Sequence, residues 1–123
     1  MADMSSETEL MLRVDTRVVQ LRAKLFRGLG DSSRLAILDA LRAGPRSVGE
    51  IVASTGLSQP NASNHLRCLN ECGLVAGEQR GRFVHYRLSD PHLETLLSLA
   101  DELVAGTAQG VYPCRNYEPG KSD

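Results

Sequence analysis

Apolar residues recur every three to four positions between Glu7 and Leu29, at Leu10, Val14, Val18, Leu21, Leu25 and Leu29. This is the period of an amphipathic α-helix. Met11, Val19 and Phe26 widen the stripe beyond what one small domain needs to bury, so part of the helix is expected to face a second copy of the chain. "GDSSRLAILDALRAGP" predicts the next helix. Asp31 or Ser32 caps it, Leu35, Ile37, Leu38 and Leu41 form its buried face, and Gly44-Pro45 stops it. Ser47 then opens a short helix, "VGEIVAST", with Glu50 placed as the reciprocal partner of a capping box and Gly56 at the end. Ser58 caps "QPNASNHLRCLNEC"; Pro60 is tolerated in its first turn, where N–H groups have no intrahelical acceptor, and Gly73 ends it.

The period then changes to two. In "VHYRL", Val84, Tyr86 and Leu88 alternate with His85 and Arg87, and "LVAGEQ" is expected to pair with this strand across Arg80-Gly81 as a β-hairpin. Asp90-Pro91 opens a last helix, with Leu93, Leu96, Leu97, Ala100, Leu103 and Val104 as its stripe and an end near Gly106. Residues 1–6 read as disordered, and the Gly/Pro-rich residues 107–123 as a flexible tail. The expected fold is mainly α with a β-hairpin, a winged helix-turn-helix forming a homodimer through its N- and C-terminal helices. The expected parts of this single domain are a dimerisation helix at 7–29, a DNA-binding core and wing at 31–88, and a second dimerisation helix at 91–106.

A chain of 123 residues fits one domain and buries only about two-thirds of its unfolded surface, so dimerisation would help it. No apolar run approaches the roughly 20 residues of a membrane span, and "MADMSSETEL" is too acidic for a secretory signal, so a cytoplasmic protein without membrane contact is expected. The net charge of −1 does not itself point to nucleic acid. Its distribution does. Arg13, Arg17, Arg22, Lys24, Arg27, Arg34, Arg42 and Arg46 face only Asp15, Asp31, Asp39 and Glu50 in the stretch up to Leu57. Arg67, Arg80, Arg82 and Arg87 then face only Glu71 and Glu78 before Leu88, so the middle of the chain is basic and its ends acidic.

The second helix of the helix-turn-helix sharpens this. At 100° per residue, Ala62, Leu66 and Leu69 cluster within about 40° as a core face, with Pro60, Ser63, Asn64 and Arg67 on the far side. Asn pairs bidentately with adenine, and Arg with guanine or phosphate, in a major groove. The candidate DNA contacts are therefore Ser58, Gln59, Asn61, Ser63, Asn64, His65 and Arg67, joined by Arg80 and Arg82 at the hairpin tip for phosphates or the minor groove. The plain alternative is a solvated helix face and a turn kept soluble by charge.

Three cysteines in a reducing compartment leave metal binding, thiol chemistry or burial open. Cys68 and Cys72 fall about 40° apart and roughly 6 Å along one helix, on a flank between the core face and the reading face. Two thiolates so placed can chelate one soft ion, and Cys114 in the tail is the remaining candidate for a third ligand. A Cys68–Cys72 disulfide is geometrically poor, because Cβ vectors at i and i+4 seldom suit one. His65 shares the flank and is a possible fourth ligand, His85 reads as structural or wing-exposed, and His92 as a surface residue after a cap.

"LGDSSRLAILDAL", "VGEIVASTGLSQPNASNHLRCLNECGLV" and "GRFVHYRLSD" resemble the ArsR/SmtB family of metal-sensing repressors over roughly residues 25–92. "SNHLRCLNECGLV" with one tail cysteine is similar to the family's cadmium- and lead-sensing branch. The resemblance implies a homodimer that holds operator DNA when metal-free and leaves it on binding Cd(II) or Pb(II). It also implies that Cys68 and Cys72 ligate from one subunit and Cys114 from the other. Zn(II) and As(III) are further candidate inducers. The sequence departs from other branches: Ser47-Val48-Gly49 lacks a Cys-x-Cys, and Asp90 and His92 keep half of the family's zinc site while Leu103 and Gly106 stand in the other half.

Rival readings are an arsenite-sensing repressor, a thiol-redox sensor on the same fold, and a winged helix that binds protein rather than DNA. A cysteine enzyme is not expected. Such an enzyme needs its thiol at a helix N-terminus or in a phosphate-type loop, whereas Cys68 and Cys72 lie toward the C-terminal end, where the helix dipole disfavours negative charge.

Overall fold

The structure, a computed structural model, describes residues 13–111 of the chain. The elements run α1 (Thr16–Leu29), α2 (Ser32–Leu41), β1 (Arg46–Ser47), α3 (Val48–Thr55), α4 (Gln59–Glu71), β2 (Val75–Arg80), β3 (Phe83–Leu88) and α5 (Pro91–Val111). Each α-helix from α1 to α4 starts on a side-chain cap. Asp15 accepts from the N–H groups of Arg17 and Val18, and Asp31 from that of Arg34. Ser47 and Glu50 close the capping box on α3, and Ser58 accepts from the N–H of Asn61 at the start of α4. Caps of this kind satisfy N–H groups that have no intrahelical acceptor.

Apolar faces of α2, α3 and α4 meet in one core. Ile37, Leu38, Ile51, Leu66, Leu69 and Val75 are essentially inaccessible, with Leu29, Leu41 and Leu97 closing the cluster. Burial of such a side chain is worth about 1.5–3 kcal/mol. The sheet has three antiparallel strands in the order β1-β3-β2, with Val75 opposite Leu88, Arg80 opposite Phe83 and Ser47 opposite His85.

Four boundaries differ from the sequence expectation. Among the described residues the first helix begins at Thr16, because Asp15 is extended and caps it, so the expected helix is not continuous through Asp15; the part of that expectation before residue 13 lies outside the described residues. β1 is an added strand, only two residues long and therefore without a readable alternation. The hairpin loop is Gly81-Arg82, one residue later than expected, with Gly81 at φ +62°. The last helix runs past Gly106 to Val111, since a glycine weakens a helix without forcing it to stop. The tail expectation therefore starts five residues too early, and residues 112–123 lie outside the described part, as do residues 1–6.

Among the described residues no helix is long and apolar enough to cross a membrane.

Candidate nucleic-acid interface and thiol site

Thr55 and Gly56 build the turn that presents α4. The Thr55 hydroxyl donates to the Ile51 carbonyl at 2.7 Å and accepts the Leu57 N–H at 3.3 Å. Gly56 takes the left-handed conformation at φ +75°, which its missing Cβ allows at little cost. Helix α4 then rests on Ala62, Leu66 and Leu69, all buried, and leaves Gln59, Asn61, Ser63, Asn64 and Arg67 exposed with His65 half-buried. Arg67 lies 3.5 Å from Asn64 Oδ1, so the two side chains form one polar surface. Ser58 is exposed, and its Oγ is engaged as the cap.

Arg80 and Arg82 are both exposed at the hairpin. Arg80 contacts Glu78 at 3.5 Å, and Gln79 donates to the Gly81 carbonyl across the loop. A cleft of about 410 Å³ joins wing and helix, with Gln59 on one side and Arg82 and Phe83 on the other. The structure thus brings the start of α4 and the wing to a common surface. Phe83 belongs to this surface and was missed in the sequence. It carries no hydrogen-bonding or charged group to mark it as a candidate, and it is 62% exposed.

Cys68 and Cys72 are both free and exposed. They open into a groove of about 760 Å³ walled by Leu21, Lys24, Leu25 and Arg27 of α1, and by Glu71 beside them on α4. The flank inferred from the helical wheel therefore faces α1. Arg34 closes one end, donating from Nε to the Gly28 carbonyl at 2.7 Å and from Nη2 to that of Arg27 at 3.3 Å. Cys72 is the C-cap of α4, and its N–H donates to the Cys68 carbonyl at 3.0 Å. No group of three His, Cys, Asp or Glu suited to a metal ion occurs among the described residues. Cys114, the expected third ligand beside these two thiols, lies outside the described residues.

The other histidines are apart from this groove. His85 Nε2 lies 4.0 Å from Glu50, and its Nδ1 is buried without a hydrogen-bond partner. Glu50 is held below the ordinary carboxylate range, first by the Ser47 N–H and then by the Ser47 hydroxyl. Asp90 is lowered likewise by the N–H and then the ring of His92, at 2.8 and 2.7 Å, while the His92 side chain is otherwise open to solvent. Asp90 and His92 therefore form a helix-start pair.

The pattern of the bacterial regulatory protein, arsR family, matches residues 31–76. A probable mercury resistance operon repressor of Streptomyces lividans is 37% identical over 101 residues, covering 82% of this chain and 80% of that protein. The transcriptional regulator CmtR of Mycobacterium tuberculosis is 47% identical over 75 residues, covering 61% of this chain and 64% of that protein. The NMR structure of that cadmium metal-sensor superposes with a TM-score of 0.59 at 44% identity, covering 67% of this chain and 85% of that one. A homodimeric winged helix-turn-helix DNA-binding domain of Mycobacterium bovis superposes with a TM-score of 0.65 at 30% identity, covering 77% and 89%. The chain belongs to the arsR family of bacterial regulatory proteins, and it is a DNA-binding transcriptional regulator on a winged helix-turn-helix rather than an enzyme.

Proposed function

We propose that this regulator is a homodimeric repressor that holds its operator when metal-free and leaves it when Cys68, Cys72 and Cys114 take up Cd(II) or Pb(II). One observation carries the reading: two exposed thiols sit one turn apart at the C-terminal end of the DNA-reading helix and open into a common groove. The names of CmtR, a cadmium metal-sensor, and of the mercury resistance repressor support a soft-metal effector. A soft ion supplies a common acceptor for thiolate sulfur.

The surrounding residues turn that event into a change at DNA. Gly73 donates to the Asn70 carbonyl and Leu74 to that of Leu69, which locks the helix end. Ser89 donates from its N–H to the Leu74 carbonyl and from its hydroxyl to the Gly73 carbonyl, joining the same end to the hairpin exit. Drawing Cys68 and Cys72 together therefore loads the junction that carries both α4 and the wing. Half-sites on B-DNA lie about 34–36 Å apart, so a small reorientation in each subunit costs contacts in both. Homodimer formation is supported by the exposed Val18 and Phe26 on α1 and Leu99 and Val104 on α5.

The test is a gel-shift titration on the promoter DNA preceding the protein's own gene, comparing Cd(II), Pb(II), Zn(II), As(III) and Hg(II). Release with Cd(II) or Pb(II), together with a thiolate-to-metal absorption band, is expected for the parent protein, and Cys68→Ser should stay bound. Release of Cys68→Ser by Cd(II) at the parent's concentration would sink the proposed coupling.

A further inference from the structure

We infer that Phe83 is a DNA-contacting residue, packing its ring on deoxyribose faces of the minor groove between the phosphates held by Arg80 and Arg82. The inference rests on the DNA-binding reading of the wing and names a contact that charge and hydrogen-bonding patterns do not show.

Phe83 closes the two-residue hairpin loop, in register with Arg80 and next to Arg82. An aromatic ring at the first residue of a strand commonly folds onto its sheet or the core beneath, as Tyr86 does in packing against the core. Phe83 does not: it is 62% exposed, and Val84 beside it is 37% exposed. One apolar ring is thus flanked by two exposed guanidinium side chains at the tip of the wing. Such a cation, aromatic, cation sequence matches the wall of a minor groove, where apolar sugar faces alternate with phosphates.

Position supports the same conclusion. Phe83 and Arg82 share a cleft with Gln59, the first residue of the reading helix, and with Val48, Gly49 and Val52 of α3. A strand of DNA leaving the major groove beside Gln59 therefore passes this cleft before it meets the wing. Val48, Gly49 and Val52 give its α3 side no charge, which suits a sugar edge better than a phosphate. The phosphates on either side fall to Arg80 and Arg82.

The chain contains no tryptophan, so Phe83→Trp provides a single reporter at the contact. The full-length metal-free protein carrying it is titrated with the promoter duplex. Tryptophan emission should be strongly quenched on saturation, and acrylamide access to the ring should fall several-fold. Phe83→Ala should weaken operator binding about tenfold or more, in line with the loss of a buried aromatic contact, while the slope of log affinity against log salt stays at the parent value. Arg82→Ala should lower that slope by about one instead, as the loss of one phosphate contact requires. Unchanged emission in a saturated complex, or parent-like affinity of a folded Phe83→Ala, overturns the inference while leaving the DNA-binding reading intact. Failure of the parent protein to bind the duplex in any metal state overturns both.

Discussion

Arg42 joins two parts of the chain that are far apart in sequence. Its guanidinium donates from Nε to Glu94 at 2.8 Å and from Nη1 to Asp101 at 2.9 Å, and Nη2 reaches Ser98 at 3.1 Å. Together these bonds pin the last helix to the end of α2. The fork of the guanidinium suits this task, since it offers several donors in fixed directions. Hydrogen bonding from Arg42 lowers the pKa of Glu94, and Glu94 in turn raises that of Arg42 further. A carboxylate with a depressed folded-state pKa contributes stability above its unfolded value, and that contribution is lost as pH falls through the folded value. Thermal melts should therefore show the Glu94 contribution constant from neutral pH down to about 5 and declining below about 4.3, the unperturbed glutamate range. Glu94→Gln should melt lower at pH 7 and lose less on acidification. An acid profile that superposes on the parent's would show that Arg42 and Glu94 are not coupled. The pair is solvent-accessible, so the shift in melting is expected to be small.

The C-terminal end of α4 is the element on which DNA reading and thiol chemistry converge. It finishes in a Schellman motif, with Leu74 donating to the Leu69 carbonyl at 2.9 Å and Gly73 to that of Asn70 at 3.0 Å. The motif needs a left-handed residue after the cap, and Gly73 supplies φ +79°. Nothing lies within 4 Å of the position a Cβ would take there, so Gly73→Ala tests backbone conformation without a clash. It should cost about 1 kcal/mol in denaturant unfolding. It should also reduce operator affinity, because β2 starts at Val75 directly after the motif. Parent-like stability would mean that the helix end tolerates another geometry. The sequence revealed this element well: Ser58 and Gly73 mark its two ends, and the spacing of Ala62, Leu66 and Leu69 marks its buried face. It could not reveal that the flank carrying Cys68 and Cys72 faces α1, because a helical wheel places residues around one axis and gives no neighbour.

On the scale of the molecule, the two outer helices have more apolar surface than one copy covers. Leu21 and Phe26 on α1 are 69 and 55% exposed, and Leu99 and Val104 on α5 are 52 and 50% exposed. Apolar surface distributed along two helices in this way favours association. Leu99→Glu should shift sedimentation equilibrium toward monomer and weaken operator binding by at least tenfold, since a monomer engages only one half-site. A Leu99→Glu protein that sediments as the parent does would remove α5 from the proposed interface.

Local and periodic features were decided by the sequence itself. Capping side chains fixed the helix starts at Ser47 and Ser58, glycines marked the turns at Gly56 and Gly73, and the change of period from 3.6 to two separated reading helix from wing. These features act within a few residues, so the chain declares them without reference to its fold. Tertiary structure decided what depends on distant partners. β1 exists because Arg46 and Ser47 find Tyr86 and His85, and α5 is anchored because Arg42 reaches Glu94 and Asp101. The thiol groove exists because residues of α1 and α4 line it together, and the register that sets Phe83 opposite Arg80 places that ring at the hairpin tip. In each case the deciding contact joins residues whose separation in sequence carries no periodic signal, and only the packed chain brings them together.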